Sequence, residues 1–206
     1  MRVLRHYSEC AKQGQLTALL PEARTDRTQK LDAVLAATRP DEEPGALLEK
    51  LGIHYQVKDA QQIPLPDKSI DFFMSSGVLE YVPKPAFPRV LREFHRVAAP
   101  GAMMSHRLNL VDQYSYFDKN ITALNYLQFT EREWSWLDSP MISQNRLRIG
   151  DYRRRFREAG FEIIREENVP GSPEDLARIK PAPEFQQMSR DDLLVLHSYI
   201  STRRID

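Results

Sequence analysis

A strand, an amphipathic helix and a second strand follow one another between residues 70 and 111, and this run limits the fold more than any other feature. The apolar stretch "IDFFMSS" is typical of a strand buried on both faces. The helix has apolar residues at three- and four-residue spacings, and "AMMSHRLNLV" follows it as the second strand. Strand, helix and strand at this spacing form a right-handed βαβ unit, so we predict an α/β protein with a parallel sheet.

The sequence predicts that the chain is divided into two parts. Residues 1–52 contain only helical patterns and form a helical N-terminal segment, and residues 53–206 form the α/β domain. Within that domain "IHYQVK" predicts a strand ending at Asp59, and "FEIIREE" and "DLLVLHSYISTRR" predict two more near the end of the chain. Residues 112–148 form an aromatic-rich insertion, either a lid over a ligand or a helical pair packed on the sheet. The proline-rich residues 169–185 are predicted to be a mobile linker.

Composition excludes several classes of function. Among 206 residues, 29 basic side chains balance 29 acidic ones, which disfavours nucleic acid as a partner. The single cysteine excludes an internal disulfide and a cysteine-rich metal site, and no histidine has a partner at ligand spacing, so we expect no metal. No signal peptide or membrane-spanning run is present in the sequence, and we therefore expect a cytoplasmic protein.

Polar residues follow the predicted strands where a ligand would bind. In open α/β sheets ligands lie beyond the carboxyl ends of the strands. Asp59 and Ala60 end the first predicted strand of the domain, Ser75 and Ser76 end the next, and His106 follows in the third. The sequence therefore predicts a ligand site at this edge of the sheet.

The order "KDAQQIPLPDKSIDFFMSSGVLEYV" and then "LREFHRVAAPGAMMSH" resembles the second half of class I S-adenosylmethionine-dependent methyltransferases, in particular the methyltransferase type 11 group. The resemblance covers about residues 53 to 110 and extends less specifically through "AGFEIIREE". It implies a Rossmann-like sheet with a C-terminal antiparallel strand pair. The segment "DQYSYFDKNITALNYLQFTEREW" is similar to a subgroup often found beside glycan-related genes, which suggests a small-molecule or glycan-related methyl acceptor.

The resemblance also implies roles for individual residues. Asp59 would accept a hydrogen bond from the adenine amino group of S-adenosylmethionine, and the backbone N–H of Ala60 would meet a ring nitrogen. Ser75 and Ser76 would line the floor near the methionine moiety of the cofactor. The alternatives are that Asp59 caps a turn and that the serines cap the end of a strand.

His106 is the candidate general base for methyl transfer to a hydroxyl group, with Asp112 able to orient it. A structural histidine is the alternative. Asn145, Arg146 and Arg148 are candidates for holding an anionic acceptor, the alternative being solvated surface arginines.

The chain departs from the family in one respect that affects both function and fold. Its eight glycines form no G-x-G, and no strand precedes residue 53 to carry a cofactor-binding loop. We therefore predict weak or absent binding of S-adenosylmethionine by this chain, and a non-catalytic remnant or interaction subunit is the alternative function.

In the family's strand order, 3-2-1-4-5-7-6, the loss of strands 1 and 2 opens the sheet beside residues 70–75. An open edge must be covered. We expect residues 53–58 to pair directly with residues 70–75. One alternative is a homodimer or a partner protein that completes the sheet. The other is that the natural polypeptide is longer than the given sequence.

Overall fold

The computed structural model describes residues 2–15, 18, 25–39, 41–139 and 143–205. The chain divides into two compact units, Met1–Lys58 and Asp59–Asp206. The sequence predicted this boundary six residues earlier, between residues 52 and 53, because it assigned residues 53–58 to a strand of the α/β domain.

The first unit contains helices between residues 2 and 50, as the apolar spacings predicted. The helices among its described residues are α1 (Arg2–Lys12), α2 (Thr25–Ala37) and α3 (Pro44–Lys50). Helices α1 and α2 are joined at Asp32, which accepts a hydrogen bond from Ser8 and lies 3.4 Å from Lys12 Nζ.

The predicted strand at residues 53–58 is not formed, and this prediction was wrong. The segment has no ladder partner among the described residues, and Tyr55 and Val57 are exposed. An alternating pattern favours an extended backbone, but a strand exists only where a second strand accepts its hydrogen bonds.

The second unit contains a four-stranded sheet with the order β1-β2-β4-β3. β1 pairs in parallel with β2, and β4 pairs antiparallel with both β2 and β3. This order agrees with the 4-5-7-6 part of the strand order that the sequence resemblance implied, and the predicted C-terminal antiparallel pair is confirmed. The strands are β1 (Ile70–Ser76), β2 (Ala98–Asn109), β3 (Phe161–Pro170) and β4 (Val195–Arg204).

Five described helices connect these strands. The crossover helix of the βαβ unit is confirmed at the predicted position, and the helix before β3 ends just ahead of Gly160, whose φ of 84° few other residues adopt. The helices are α4 (Phe87–Val97), α5 (Glu131–Leu137), α6 (Ile149–Glu158), α7 (Pro173–Ala177) and α8 (Arg190–Leu194). Short 3₁₀ helices occur at Leu79–Tyr81, Gln113–Tyr116, Asn125–Gln128 and Pro183–Phe185.

Helices α4 and α6 cover one face of the sheet, and the main core lies between them and the strands. Phe73 of β1 stacks on Phe94 of α4 at a centroid distance of 5.2 Å. On the opposite face Phe72 and Met74 are 54% and 74% exposed, so the prediction that β1 is buried on both faces was wrong. The pattern was apolar on both sides, but only one side of the strand meets a helix.

The free edge of β1 has no partner strand among the described residues, where its only ladder is with β2. The expected direct pairing of residues 53–58 with residues 70–75 is therefore absent, because the first of these segments forms no strand. The edge and the apolar face beside it are left without the cover that the sequence predicted.

The insertion after β2 forms a second core with the proline-rich segment. The segment predicted as a mobile linker instead contains α7 and the buried Phe185. Aromatic side chains of the insertion pack against it, and this supports the packed-helix interpretation of the insertion for its buried members. The cluster consists of Leu124, Tyr126, Leu127, Trp134, Ala182, Phe185, Leu193 and Leu194.

Candidate functional site at the carboxyl end of the sheet

The chain turns sharply where β1 ends, and a glycine makes this turn. Gly77 has a φ of 65°, and its N–H donates to the carbonyl oxygen of Arg107 at 3.0 Å. This bond keeps the turn beside the end of β2, and the 3₁₀ helix Leu79–Tyr81 follows at once. The polar residues before and after Gly77 are thereby gathered at the predicted ligand edge.

Ser75 and His106 are brought together, on the helix-covered face of the sheet. Ser75 Oγ lies 2.8 Å from His106 Nδ1, and the imidazole stacks on Phe156 of α6 at 5.6 Å. His106 is 2% exposed, and burial lowers its pKa to about 4. Its Nε2 has no partner within the described part of the chain. A neutral imidazole enclosed in this way is a core residue, which matches the structural alternative.

Asp112 is not paired with His106, contrary to the expected orienting role. Its side chain caps the 3₁₀ helix at Gln113–Tyr116 by accepting from the N–H of Tyr114 at 2.8 Å. The Nδ2 group of Asn125 lies 3.4 Å from the other carboxylate oxygen. Burial raises the pKa of Asp112. The carboxylate thus holds the start of the insertion in place.

Asp59 and Ala60 are exposed and lie in a turn anchored on α4. Asp59 Oδ1 accepts from the backbone N–H of Gln61 at 2.9 Å and from its amide at 3.2 Å. Gln61 in turn accepts from Arg89 Nε at 2.5 Å. This is the turn-capping geometry of the alternative interpretation, while the adenine-binding role stays a prediction.

Arg96 fixes the rest of this turn segment. Its guanidinium donates to the carbonyl oxygens of Ile63 and Leu65, and it pairs with Asp67 and Glu93. Asp59 and Ala60 are therefore held near α4 by side-chain bonds rather than by a sheet ladder.

Glu80 was not singled out from the sequence, although it lies within the "VLE" part of the family resemblance. It is 2% exposed and directly follows the buried Leu79. Its Oε1 accepts from the N–H of Asn109 at 3.2 Å, and its Oε2 has no partner among the described residues. Burial raises the pKa of Glu80. An acid inside an apolar run was the signal that could have identified it.

Asn145, Arg146 and Arg148 are buried, so neither the acceptor-binding nor the solvated-surface interpretation holds. Asn145 Nδ2 donates to the carbonyl oxygens of Leu79 and Val82 at 2.8 and 2.9 Å. Its backbone N–H also donates to the carbonyl oxygen of Glu80 at 2.8 Å. The amide therefore joins the end of the insertion to the segment after β1.

The two arginines bind backbone carbonyls that lie far apart in sequence. Arg146 donates to Tyr126 and Phe129 and pairs with Glu131 at 2.7 Å. Arg148 donates to the carbonyl oxygens of Leu110, Leu193 and Val195 and to the Tyr126 hydroxyl. Because the guanidinium has five donors in a fixed fork, one side chain can satisfy several chain segments.

The described residues do not form a complete site for S-adenosylmethionine, the cofactor that the sequence resemblance implies. Ser75 Oγ is engaged by His106, the Asp59 carboxylate by its own turn, and no described strand precedes β1 to carry a glycine-rich loop. Ser76 and Ala60 are exposed. These residues do not by themselves fit the whole cofactor.

No group of three or more histidine, cysteine, aspartate or glutamate side chains among the described residues could hold a metal ion. No described helix is long and apolar enough to cross a membrane.

Comparison with known proteins confirms the resemblance seen in the sequence. Residues 13–105 match a family model described as a methyltransferase domain. None of the curated proteins compared matches the chain.

The fold is similar to that of several solved structures. An S-adenosylmethionine-dependent methyltransferase from Methanosarcina mazei is 15% identical, with a TM-score of 0.49, over 88% of this chain and 79% of that one. Another from Mesorhizobium loti is 19% identical, with a TM-score of 0.45, over 85% and 76%. The [4+2]-cyclase SpnF is 16% identical, with a TM-score of 0.46, over 77% of this chain and 60% of that one. The chain thus spans less than two thirds of the length of SpnF.

Proposed function

From the match of residues 13–105 to a methyltransferase domain, we propose that the protein acts in S-adenosylmethionine-dependent methyl transfer to a small-molecule or glycan-related acceptor. The observation that carries the proposal is the sheet order, in which β1, β2, β4 and β3 occupy the last four positions of the class I arrangement. In that arrangement the carboxyl ends of β1 and β2 border the transfer site.

The cofactor, when bound, supplies the methyl group, and the protein's part is to position the acceptor and to exclude water. Asp59 and Ala60 are proposed for the adenine side and Ser76 for the floor of the site. Ser75 and His106 support that floor from within the core. This division follows from their burial, since Asp59, Ala60 and Ser76 are exposed, whereas Ser75 is half-buried and His106 is buried.

A non-catalytic role is the second candidate, and two observations favour it. The described residues lack a strand that could carry the cofactor loop, and β1 has a free edge beside the exposed Phe72 and Met74. In this version the protein is an interaction subunit whose open sheet is completed by a second copy or by another protein.

Calorimetric titration with S-adenosylhomocysteine tests the two candidates. We expect weak binding, with a Kd above about 100 µM, because only the adenine-side contacts are present. Asp59→Ala should abolish the heat of binding. Asp71→Ala, an exposed carboxylate at the start of β1, serves as the matched control and should leave it unchanged.

Absence of binding at millimolar concentrations would favour the interaction subunit. Submicromolar affinity would contradict our account of the site, because it would require a cofactor cradle that the described residues do not form.

A further inference from the structure

A surface groove of about 220 Å³ lies between helices α4 and α6. Its lining combines apolar and charged side chains, namely Pro88, Leu91 and Ala159 together with Arg92, Arg155 and Glu158. Neither the proposed transfer site at the carboxyl end of the sheet nor the free edge of β1 includes any of these residues. The groove is therefore a feature that the proposed function leaves unexplained.

Two arginines of the groove have no carboxylate partner in the part of the chain that the structure describes. Arg92 of α4 is exposed. Arg155 of α6 is half-buried, and its guanidinium lies 5.7 Å from the ring centre of the buried Phe87. This cation–π contact holds the guanidinium in place without neutralising it. A guanidinium that is already positioned loses less entropy when it pairs with a carboxylate.

The nearby carboxylates already have other arginine partners. Helices α4 and α6 together carry seven arginines and three carboxylates, whereas the whole chain has equal numbers of basic and acidic side chains. Arg92 and Arg155 are thus available to an external anion. The ion pairs on and beside the two helices are Glu93–Arg96, Asp67–Arg96, Asp151–Arg154, Glu158–Arg154, Glu166–Arg153 and Asp192–Arg153.

The size and the apolar lining of the groove favour a side chain of a partner protein over a free small molecule. Pockets for small molecules usually hold about 300–1,000 Å³ and enclose most of the ligand. With about 220 Å³ the groove is smaller than these pockets, but it has room for one aliphatic side chain. Leu91 and Ala159 offer that side chain apolar contact.

Nucleic acid and membranes match this surface less well. Proteins that bind single-stranded nucleic acid stack its bases on exposed aromatic rings, and helices that lie on membranes insert large apolar side chains. Helices α4 and α6, both described in full, expose no large apolar or aromatic side chain. An apolar groove with one arginine on each wall instead matches an aliphatic side chain flanked by carboxylates.

From this geometry we infer that the groove docks an acidic segment of a partner protein, in which an aliphatic side chain lies between carboxylates. The aliphatic side chain fills the space beside Leu91 and Ala159, and a carboxylate pairs with the guanidinium of Arg92 or Arg155. Arginine suits this contact because its planar fork binds both oxygens of one carboxylate. The inference does not depend on the proposed methyl transfer, since the groove includes no residue of that site.

NMR titration of the ¹⁵N-labelled protein with the peptide acetyl-Glu-Glu-Leu-Glu-Glu-amide tests the inference. We expect saturable shifts of the backbone amides of Leu91, Arg92 and Ala159. The Nε–H of Arg155, which is buried and therefore protected from exchange with water, should shift with them. The Kd should lie below about 1 mM and rise with salt concentration. A peptide with lysine in place of each glutamate should cause no such shifts, and one with alanine in place of leucine should bind about fivefold more weakly.

Matched variants separate the groove from the general charge of the surface. Arg92→Gln and Arg155→Gln should each weaken peptide binding about threefold to fivefold, the effect of an exposed ion pair. Arg157→Gln removes an exposed arginine of α6 that does not line the groove, and it should change binding by less than about twofold. Glu158→Gln removes the groove's own carboxylate and should tighten binding. Thermal unfolding of each variant verifies that it is folded.

Four outcomes would overturn the inference. They are no saturable shift with the acidic peptide, equal binding of the lysine peptide, equal binding of the alanine peptide, and unchanged binding in Arg92→Gln, which alters only an exposed side chain. Polyuridylic acid and phosphatidylglycerol vesicles are titrated in parallel. Tighter binding of either one than of the peptide, with shifts at the same residues, would assign the surface to nucleic acid or to a membrane instead.

Discussion

His106 and Glu80 show how burial at the carboxyl end of the sheet shifts a base and an acid in opposite directions. Burial lowers the pKa of His106 to about 4 and raises that of Glu80, so both side chains are driven toward their neutral forms. Each has one side-chain atom without a partner in the described structure. The stability of the protein should therefore depend on pH through both residues, with different signs.

The contribution of neutral, buried His106 to the free energy of unfolding should be lost at acid pH. Below about pH 6.5 the unfolded chain takes up a proton on this residue, whereas the folded protein does so only near pH 4, so the free energy of unfolding falls across that interval. We expect denaturant titrations to show a loss of a few kcal/mol between pH 7 and pH 4 that is absent in His106→Gln. His54→Gln, which changes an exposed histidine, should retain the loss. Parallel curves for wild type and His106→Gln would contradict the assignment.

Glu80 should change the free energy of unfolding in the opposite direction, lowering it as the pH rises. Because its folded pKa is raised, the folded protein holds its proton above pH 4.5, and stability falls as the pH rises through that folded value. Glu80→Gln should raise the Tm at pH 7 by roughly 2 to 4 °C, the shift that about 1 kcal/mol produces in a chain of this size. The gain should vanish below about pH 4. Glu158→Gln, at an exposed position on α6, should change the Tm little at either pH.

Residue roles were harder to predict than residue positions. The sequence correctly predicted that Ser75, Ser76 and His106 lie at the carboxyl end of the sheet, because strand ends follow from the local pattern. It could not show that His106 faces α6, since the face of a strand depends on which helices pack on it. It singled out Asn145 and the buried arginines but gave them the wrong role, because their partners are backbone carbonyls far away in the chain.

At the scale of elements, Arg148 is the main connection between the sheet and the insertion. Its guanidinium joins the end of β2, the 3₁₀ helix that carries Tyr126, and the junction of α8 with β4. No apolar side chain can replace these bonds, since each lost partner is a buried acceptor. The second core and the main core are thereby made interdependent.

Arg148→Met should lower the free energy of unfolding by at least about 3 kcal/mol, because several buried acceptors lose their donor at once. Urea titration followed by circular dichroism measures the change. Arg157→Met, an exposed arginine on α6, is the control and should change stability by less than about 0.5 kcal/mol. Equal effects of the two substitutions would show that the Arg148 network contributes little.

The elements that the sequence predicted correctly are those whose cause is local. Helices α4 and α6 follow from apolar spacing, and the end of α6 follows also from Gly160 just beyond it. The expected strand at residues 53–58 is not formed because no described strand pairs with it, and a local pattern does not contain the information on which segments pair or pack together. For the same reason the sequence predicted β1 itself but not the exposure of Phe72 and Met74.

At the scale of the whole molecule, the free edge of β1 is the feature that most needs an explanation. Unpaired backbone groups beside exposed apolar side chains favour the addition of another strand. Since residues 53–58 do not supply that strand, we expect a second copy to do so, with the two β1 edges meeting. Such a dimer would build one continuous sheet from two incomplete ones.

Sedimentation velocity at increasing protein concentration tests this expectation. We expect a concentration-dependent dimer that Met74→Lys abolishes, because a lysine on an edge strand opposes strand addition. Tyr199→Lys changes the same open face of the sheet at the interior strand β4 and should leave the dimer intact. Dissociation by both variants would place the interface on the sheet face rather than at the edge. A protein that stays monomeric at every concentration would exclude the second copy, and the strand that completes the sheet would then have to come from a different partner.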